Sequence, residues 1–408
     1  MGNLSEHKQC SGRWNPERDA VTLHEEYVQS AKRALEEGRP QDAIHVLEPL
    51  ADDGEDDPEL LVCLGIAYVQ AEMPENAVRI LEQAETMLED HCVVKMFLGR
   101  ALLALGKFSY AEDMLRESIS LDPNEPEAWS DLSRILYRQR RYKEALRLLE
   151  DGVHRFPDDP SLMGLYALTL YRLGDYTAAT EEWARVHRLR PDLMAAISNY
   201  AYLLLLQDRT FEASPFVGYA MTMDSGDYRV LILQGEMRFR SGDLDAATES
   251  FLRVVEQDPE NIEALSRLAL LFHMARDHEM FRHYLSRAEM LLGRDPESWR
   301  GLCEAYSRLG MPRRYVECLI SWTQYDKGAA APWVALAAEY DRQGLIERAR
   351  NAWRVVFELR GYVKIRCPKC EDETRFPYDE NLGFDVYQDT CCRSCGKTIN
   401  MPRGLATY

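Results

Sequence analysis

Four cysteines near the C-terminus carry the clearest chemistry in the chain. Cys367-Pro-Lys-Cys370 and Cys392-Arg-Ser-Cys395-Gly form two Cys-x-x-Cys knuckles separated by 21 residues. Each knuckle can turn two sulfurs towards one ion while backbone amides brace the thiolates. Four thiolates in a tetrahedron select one zinc ion, with iron as the alternative. Cys391 adjoins Cys392, so either could complete the set, although only Cys392 keeps the two-residue spacing and the following Gly396. A shell of four thiolates is closed, whereas catalytic zinc keeps an open position, which predicts a structural ion. Binding it would also fold a tail too small to hold itself together.

The elements around the knuckles read as short strands. Runs at 362–366, 384–388 and 398–401 favour strand, and Asp379, Glu380, Asn381 and Gly383 supply a turn between them. With its two knuckles, this piece resembles a zinc ribbon of the kind common at the ends of bacterial proteins. The resemblance implies a small β-rich domain over 362–408.

Upstream, one unit recurs every 34 residues. Ala31, Gly65, Gly99, Ser133, Ala167, Ala201, Gly235, Ala269, Cys303 and Ala337 keep that spacing, and all are small. Twelve places after each comes a second series, Ala43, Ala77, Ala111, Ala145, Ala179, Ala213, Ala247, Phe281, Tyr315 and Ala349. Small residues at fixed places in two helices are what close helix crossing demands. Gly106, Gly174, Gly242, Gly310 and Gly344 mark the turn between them, and Pro123, Pro157, Pro191 and Pro259 close the second helix.

This spacing, with Trp129, Trp299 and Trp333 four places before the small residue, resembles the tetratricopeptide repeat. The implied fold class is all-α: a right-handed superhelical solenoid of about ten helix hairpins, ending in the β-rich ribbon. The expected division is a flexible N-terminal arm over 1–23, ten repeats over 24–361 and the ribbon over 362–408. Pro215 should kink or shorten its helix, so a bend is expected near 208–227. The last repeat ends with Ala349, Ala352, Trp353, Val356 and Phe357 on one helix face, and the ribbon is expected to dock there as a cap.

In such arrays the first helix of each pair lines a concave groove that takes extended protein segments. The resemblance places Arg138, Arg172, Arg240, Arg308 and Arg342 on that wall, five places after the small residue, with Tyr137, Tyr171 and Phe239 beside three of them. Arg100 and Arg134 follow one place after it. Arginine forks hold carboxylates by paired hydrogen bonds, which suggests an acidic protein or peptide partner.

Charge and composition narrow the function. The net charge is −19 at a pI near 5.0, and from Tyr362 onward seven Lys or Arg balance seven Asp or Glu, so the repeats carry the excess. Such a surface repels nucleic acid and anionic lipid. No apolar run in the first 23 residues reads as a signal or anchor, and scattered Cys63, Cys92, Cys303 and Cys318 suit reduced thiols, so a cytoplasmic location is expected. His273, His278 and His283 stand five apart, off any common helix face, and no phosphate loop, dinucleotide glycine run or nucleophile elbow is present.

The sequence therefore reads as a non-enzymatic interaction scaffold or adaptor with a structural metal ribbon. One alternative is nucleic-acid or transcription-linked binding through Lys364, Arg366, Lys369, Arg393 and Lys397 of the ribbon. Another follows from a partial resemblance to the lipopolysaccharide assembly protein B family, which joins such repeats to a C-terminal metal site. That resemblance implies an adaptor for regulated proteolysis in envelope biogenesis, but those proteins begin with a membrane anchor and have more closely spaced knuckles.

Overall fold

The computed structural model describes residues 16–52, 57–293, 296–367, 369–370, 372–378, 386–387 and 390–399. Twenty helices occur among them, grouped in ten pairs. The first three pairs are α1 (Pro16–Glu36) with α2 (Pro40–Asp52), α3 (Pro58–Gln70) with α4 (Pro74–Met87), and α5 (Cys92–Ala104) with α6 (Phe108–Leu121). Next come α7 (Pro126–Arg138) with α8 (Tyr142–Arg155), α9 (Pro160–Arg172) with α10 (Tyr176–Leu189), and α11 (Met194–Leu206) with α12 (Thr210–Met223). Then follow α13 (Tyr228–Ser241) with α14 (Leu244–Gln257), and α15 (Ile262–Met274) with α16 (His278–Met290). The series closes with α17 (Pro296–Arg308), α18 (Pro312–Tyr325), α19 (Ala331–Arg342) and α20 (Ile346–Arg360). The chain forms two compact units, 1–135 and 136–408.

Packing explains the small-residue series. A Cβ at Gly99 would stand 2.7 Å from Leu115 Cγ, and one at Gly235 would stand 2.8 Å from Phe251 Cζ. Each obstructing side chain comes from the second helix of the same pair, so the glycine lets the two backbones approach. Helix starts are marked by acidic or amide caps: Asp159 accepts from the Leu162 amide at 2.8 Å, and Asn261 accepts from the Ala264 amide at 3.0 Å.

The turn inside every pair holds one left-handed residue. Positions 38, 72, 106, 140, 174, 208, 242, 276, 310 and 344 all have φ between +58° and +85°. Glycine fills six of them, whereas Glu72, Arg140, Asp208 and Arg276 adopt this conformation with a side chain attached.

Four features differ from the sequence reading. Helix α12 runs through Pro215 at the same 14-residue length as α10 and α14, so the proline does not shorten it. Pro215 lies on the exposed side, where water can solvate the carbonyl it frees. Helix α1 begins at Pro16, inside the segment assigned to the arm. Cys303 and Cys318 are not separate thiols: a disulfide joins α17 to α18 with a Cα separation of 5.7 Å. The small-residue place that Cys303 occupies faces the second helix at close range, which brings Cys318 within bonding reach. Finally, of the run 384–388 only Val386 and Tyr387 are among the described residues, and they form a turn; the strand before the second knuckle is at Thr390–Cys391.

Two short antiparallel pairs complete the chain. Strand β1 (Tyr362–Arg366) pairs with β2 (Glu373–Pro377), placing Tyr362 opposite Pro377 and Lys364 opposite Arg375. Strand β3 (Thr390–Cys391) pairs with β4 (Thr398–Ile399). Residues 1–15, the acidic stretch 53–56, the turn at 379–383 and Met401 lie outside the described residues.

Candidate metal centre and first-helix cavity

The two knuckles meet. The Sγ atoms of Cys367, Cys370, Cys392 and Cys395 all lie within 4.8 Å of one another, with Cys367–Cys395 and Cys370–Cys392 both at 3.6 Å. Sulfurs at the corners of a tetrahedron around zinc, with Zn–S of about 2.3 Å, stand about 3.8 Å apart, so the four side chains fit one ion. Cys391 is exposed and outside the group, so the geometry supports Cys392 as the fourth donor. The first knuckle is the tip of the β1–β2 hairpin, closed by the Cys367 amide donating to Asp372 O at 2.9 Å. Gly396, at φ +70°, donates its amide to Cys392 O and closes the second. Amides of Cys370 and Lys369 favour the Cys367 thiolate, while against the Asp372 amide, burial and the neighbouring sulfurs push the Cys370 thiol up, so the four sulfurs form one cluster whose shared protons an ion would replace.

The hairpin sits against two helical elements. On one side, the Phe357 ring of α20 packs on Tyr378 at 5.7 Å, and Tyr387 donates to Asp341. Trp353 and Phe357 are each only 2% exposed. On the other side is the turn between α9 and α10. Tyr362 donates to Asp175 at 2.7 Å, Lys364 Nζ reaches the same carboxylate at 3.0 Å, and Arg360 Nε donates to Leu173 O at 2.6 Å. Burial would raise the Asp175 pKa, but Lys364 and Arg360 hold it below the usual carboxylate range.

Unit 136–408 also contains a cavity of about 450 Å³ in the wall formed by its first helices. Tyr171 and Arg172 of α9, Asn199 and Tyr202 of α11, and Ile232 of α13 line it, together with Tyr137 of α7 and Glu263 of α15. Arg172 donates to the Tyr137 hydroxyl at 2.9 Å and lies 5.8 Å from the Tyr171 ring centre. Tyr171 and Tyr202 stand edge to face at 6.5 Å. The buried Ser198 hydroxyl, also on the lining, has no hydrogen-bond partner among the described residues.

Most of the proposed arginine forks are already engaged by the chain's own carboxylates. Arg240 pairs with Glu236 at 2.7 Å and with Asp208, while Arg308 pairs with Glu304 at 2.8 Å and covers the Phe239 ring at 5.1 Å. Fully buried Arg267 joins Glu236 to Glu304 at 2.8 and 2.9 Å. Burial would raise the Glu304 pKa, but Arg267, Arg300 and Arg308 hold it well below the usual carboxylate range. Arg342 pairs with Glu339, and Arg138 is exposed. In the other unit, Arg100 and Arg134 share Asp131 at 2.6 and 2.9 Å.

Of the named groove residues, then, only Tyr137, Tyr171 and Arg172 line the cavity. A sequence signal for the rest was available: Glu236 and Glu304 precede Arg240 and Arg308 by four residues, the favourable helical pairing. Tyr202 also had a signal, since it follows Ala201 by one place, the register of Arg100 and Arg134; Ser198 had none. Among the ribbon cations, Lys364 is buried on Asp175 and Arg393 lies 4.3 Å from the Phe376 ring centre.

Models of the tetratricopeptide repeat match residues 102–169 and 232–298. The TPR repeat-containing protein YpiA of Bacillus subtilis is 20% identical over 65% of this chain. The human protein O-mannosyl-transferase TMTC1 is 22% identical over 50%, and bovine BBSome complex member BBS4 is 25% identical over 41%. The chain spans 63%, 23% and 31% of these relatives' lengths, respectively. Among solved structures, Pseudomonas aeruginosa pilF matches at 19% identity with a TM-score of 0.45, covering 50% of this chain and 92% of its own. YrrB, described as a TPR protein with an unusual peptide-binding site, matches at 14% with a TM-score of 0.38, covering 45% and 95%. Residues 102–169 and 232–298 are tetratricopeptide repeats, set in a series of helix pairs that keeps the same 34-residue spacing throughout.

Proposed function

We propose that this chain is a non-enzymatic interaction scaffold or adaptor, and that the first-helix wall of unit 136–408 takes a protein segment. The cavity lined by Tyr171, Asn199 and Tyr202 carries this reading. Its tyrosines offer contact area at low entropic cost, and its volume suits one bulky side chain of a bound segment. Because Arg240, Arg308 and Arg342 already hold carboxylates, an apolar or aromatic anchor is a better match than an acidic partner. The test is a photo-crosslinking residue at Tyr171 or Asn199 in cells, with exposed Arg188 on a second helix as control. Protein captured at the first two positions and not the third supports the reading; equal recovery at all three overturns it.

The four cysteines would hold one structural zinc ion, with a ribbon that covers the end of the last repeat. The Phe357–Tyr378 contact supports this capping role. Elemental analysis should find one zinc per chain, lost in Cys392→Ser and kept in Cys391→Ser; bound iron would instead colour the protein. Nucleic-acid binding through the ribbon has weaker support because Lys364 is buried on Asp175. Among the described residues, no helix is long and apolar enough to cross a membrane, and the Cys303–Cys318 disulfide removes the reduced-thiol ground for a cytoplasmic site of action.

A further inference from the structure

The geometry points to a metal-dependent clasp. The knuckle hairpin β1–β2 grips the α9–α10 turn through Asp175, and the ion at the hairpin's tip decides whether that Asp175 end is held, while Arg360 of α20 keeps the Leu173 end. The same turn joins two helices that line the cavity, so the metal centre would set the shape of the binding wall. Only this second half rests on the function proposed above.

The turn is held from both of its ends. Asp175 caps α10 by accepting from the Ala178 amide at 3.3 Å, while its carboxylate also takes Tyr362 and Lys364. The carbonyl of Leu173, at the end of α9, accepts from Arg360. Gly174 lies between them, and a Cβ there would stand 3.1 Å from Arg360 Nη2 and 3.2 Å from Ala331 Cα. Both helices that leave this turn reach the cavity: α9 supplies Tyr171 and Arg172, and α10 supplies Trp183.

The grip divides into a helix-borne part and a strand-borne part. Lys143 donates to Glu358 O at 2.9 Å and Tyr142 donates to Asp326 at 3.2 Å, both between helices or their turns, so neither depends on the ribbon. Tyr362 and Lys364 instead project from a two-stranded hairpin. Such a hairpin is marginal in isolation. Its register places Tyr362 and Lys364 on one face, while Val363 and Ile365, 2% and 4% exposed, are buried on the other. Cys367 follows β1 directly, so an ion shared with the second knuckle would fix the free end of the strand that carries Lys364.

Amide hydrogen exchange on the full chain tests the clasp. It should be compared in the zinc-loaded chain, the chelator-treated chain and Lys364→Met. Zinc removal should speed exchange of residues 174–178 about tenfold or more while α18 stays protected. Lys364→Met should do the same while still giving the thiolate-to-cobalt absorption band after cobalt loading. A folded zinc-free chain with unchanged exchange at 174–178 overturns the metal dependence. If chelation unfolds the chain, Lys364→Met decides the grip: unchanged exchange with an intact cobalt band overturns it. For the coupling, crosslinking yield from position 171 should fall in Lys364→Met; an unchanged yield despite faster exchange overturns it while leaving the groove intact. No capture from the native chain sinks the groove reading and leaves the exchange result standing.

Discussion

Lys364 and Asp175, 189 positions apart, form a buried ion pair at 3.0 Å, and the Tyr362 hydroxyl fills another site on the same carboxylate. The pair ties a ribbon strand to a turn in the middle of the repeat series. Glu373 of β2 also holds Lys364, at 2.8 Å, so removing Asp175 leaves that ammonium with one carboxylate. Asp175→Ala should therefore cost about 1.5–3 kcal/mol for the lost charged hydrogen bonds, with a further contribution of about 1 kcal/mol from the lost cap of α10. Asp175→Asn keeps an oxygen for the Ala178 amide and should cost less. Urea unfolding of the two variants checks this order, and equal midpoints would contradict it.

The same carboxylate fixes a pH window. Its pKa is held below the ordinary value in the folded chain. The stability it supplies is therefore fully present above the unfolded value of about 3.9 and is lost as pH falls through the folded one. Protection of amides 174–178 should stay constant from pH 7 down to about 5, after correction for intrinsic exchange rates. A loss of protection centred near pH 6 would mean that another group controls the turn.

How much of this was legible follows from sequence distance. The small-residue series reports contacts inside one helix pair, such as Gly235 on Phe251 only 16 positions away, and a fixed spacing exposes it. The four sulfurs were legible because ligand chemistry restricts residue type and spacing together. The Asp175 clasp was hidden, since an aspartate there looks like the helix cap Asp243 fills in another pair. Nothing in residues 360–364 names a partner nearly two hundred positions earlier. The arginine series identified a helix face but could not show that Arg267, from a neighbouring first helix, would bridge Glu236 and Glu304.

The left-handed turn position gives a stabilising substitution. Arg276 has φ +60° and is exposed, and glycine fills the equivalent place in six of the ten turns. A side chain in this region costs about 1 kcal/mol relative to glycine, so Arg276→Gly should stabilise the chain by about that amount, offset in part by the freer unfolded backbone. Thermal unfolding reads the sign. Arg140→Gly should not gain in the same way, because Arg140 reaches the Tyr325 carbonyl and its guanidinium lies 4.3 Å from that ring centre.

Gly235→Ala runs in the opposite direction. In a helix, alanine is favoured over glycine by about 1 kcal/mol, but the new methyl would stand 2.8 Å from Phe251 Cζ. Phe251 is fully buried, so its ring cannot swing into solvent. Overpacking of this kind costs about 1–3 kcal/mol, and a net loss of stability is expected. The double variant Gly235→Ala, Phe251→Leu should recover part of it, a coupling that chemical denaturation can measure.

The arginine network and the cavity should separate when stability and capture are read together. Arg240→Ala leaves Glu236 with less compensation, so any fall in partner capture should come with a lower melting temperature. Asn199→Asp places a new carboxylate on the cavity lining without breaking any of these ion pairs. It should lower capture of an apolar or aromatic anchor at least several-fold with little change in melting temperature. Unchanged capture in Asn199→Asp, alongside a loss in Arg240→Ala that exceeds its loss of folded protein, would move the binding site from the cavity to the charged wall.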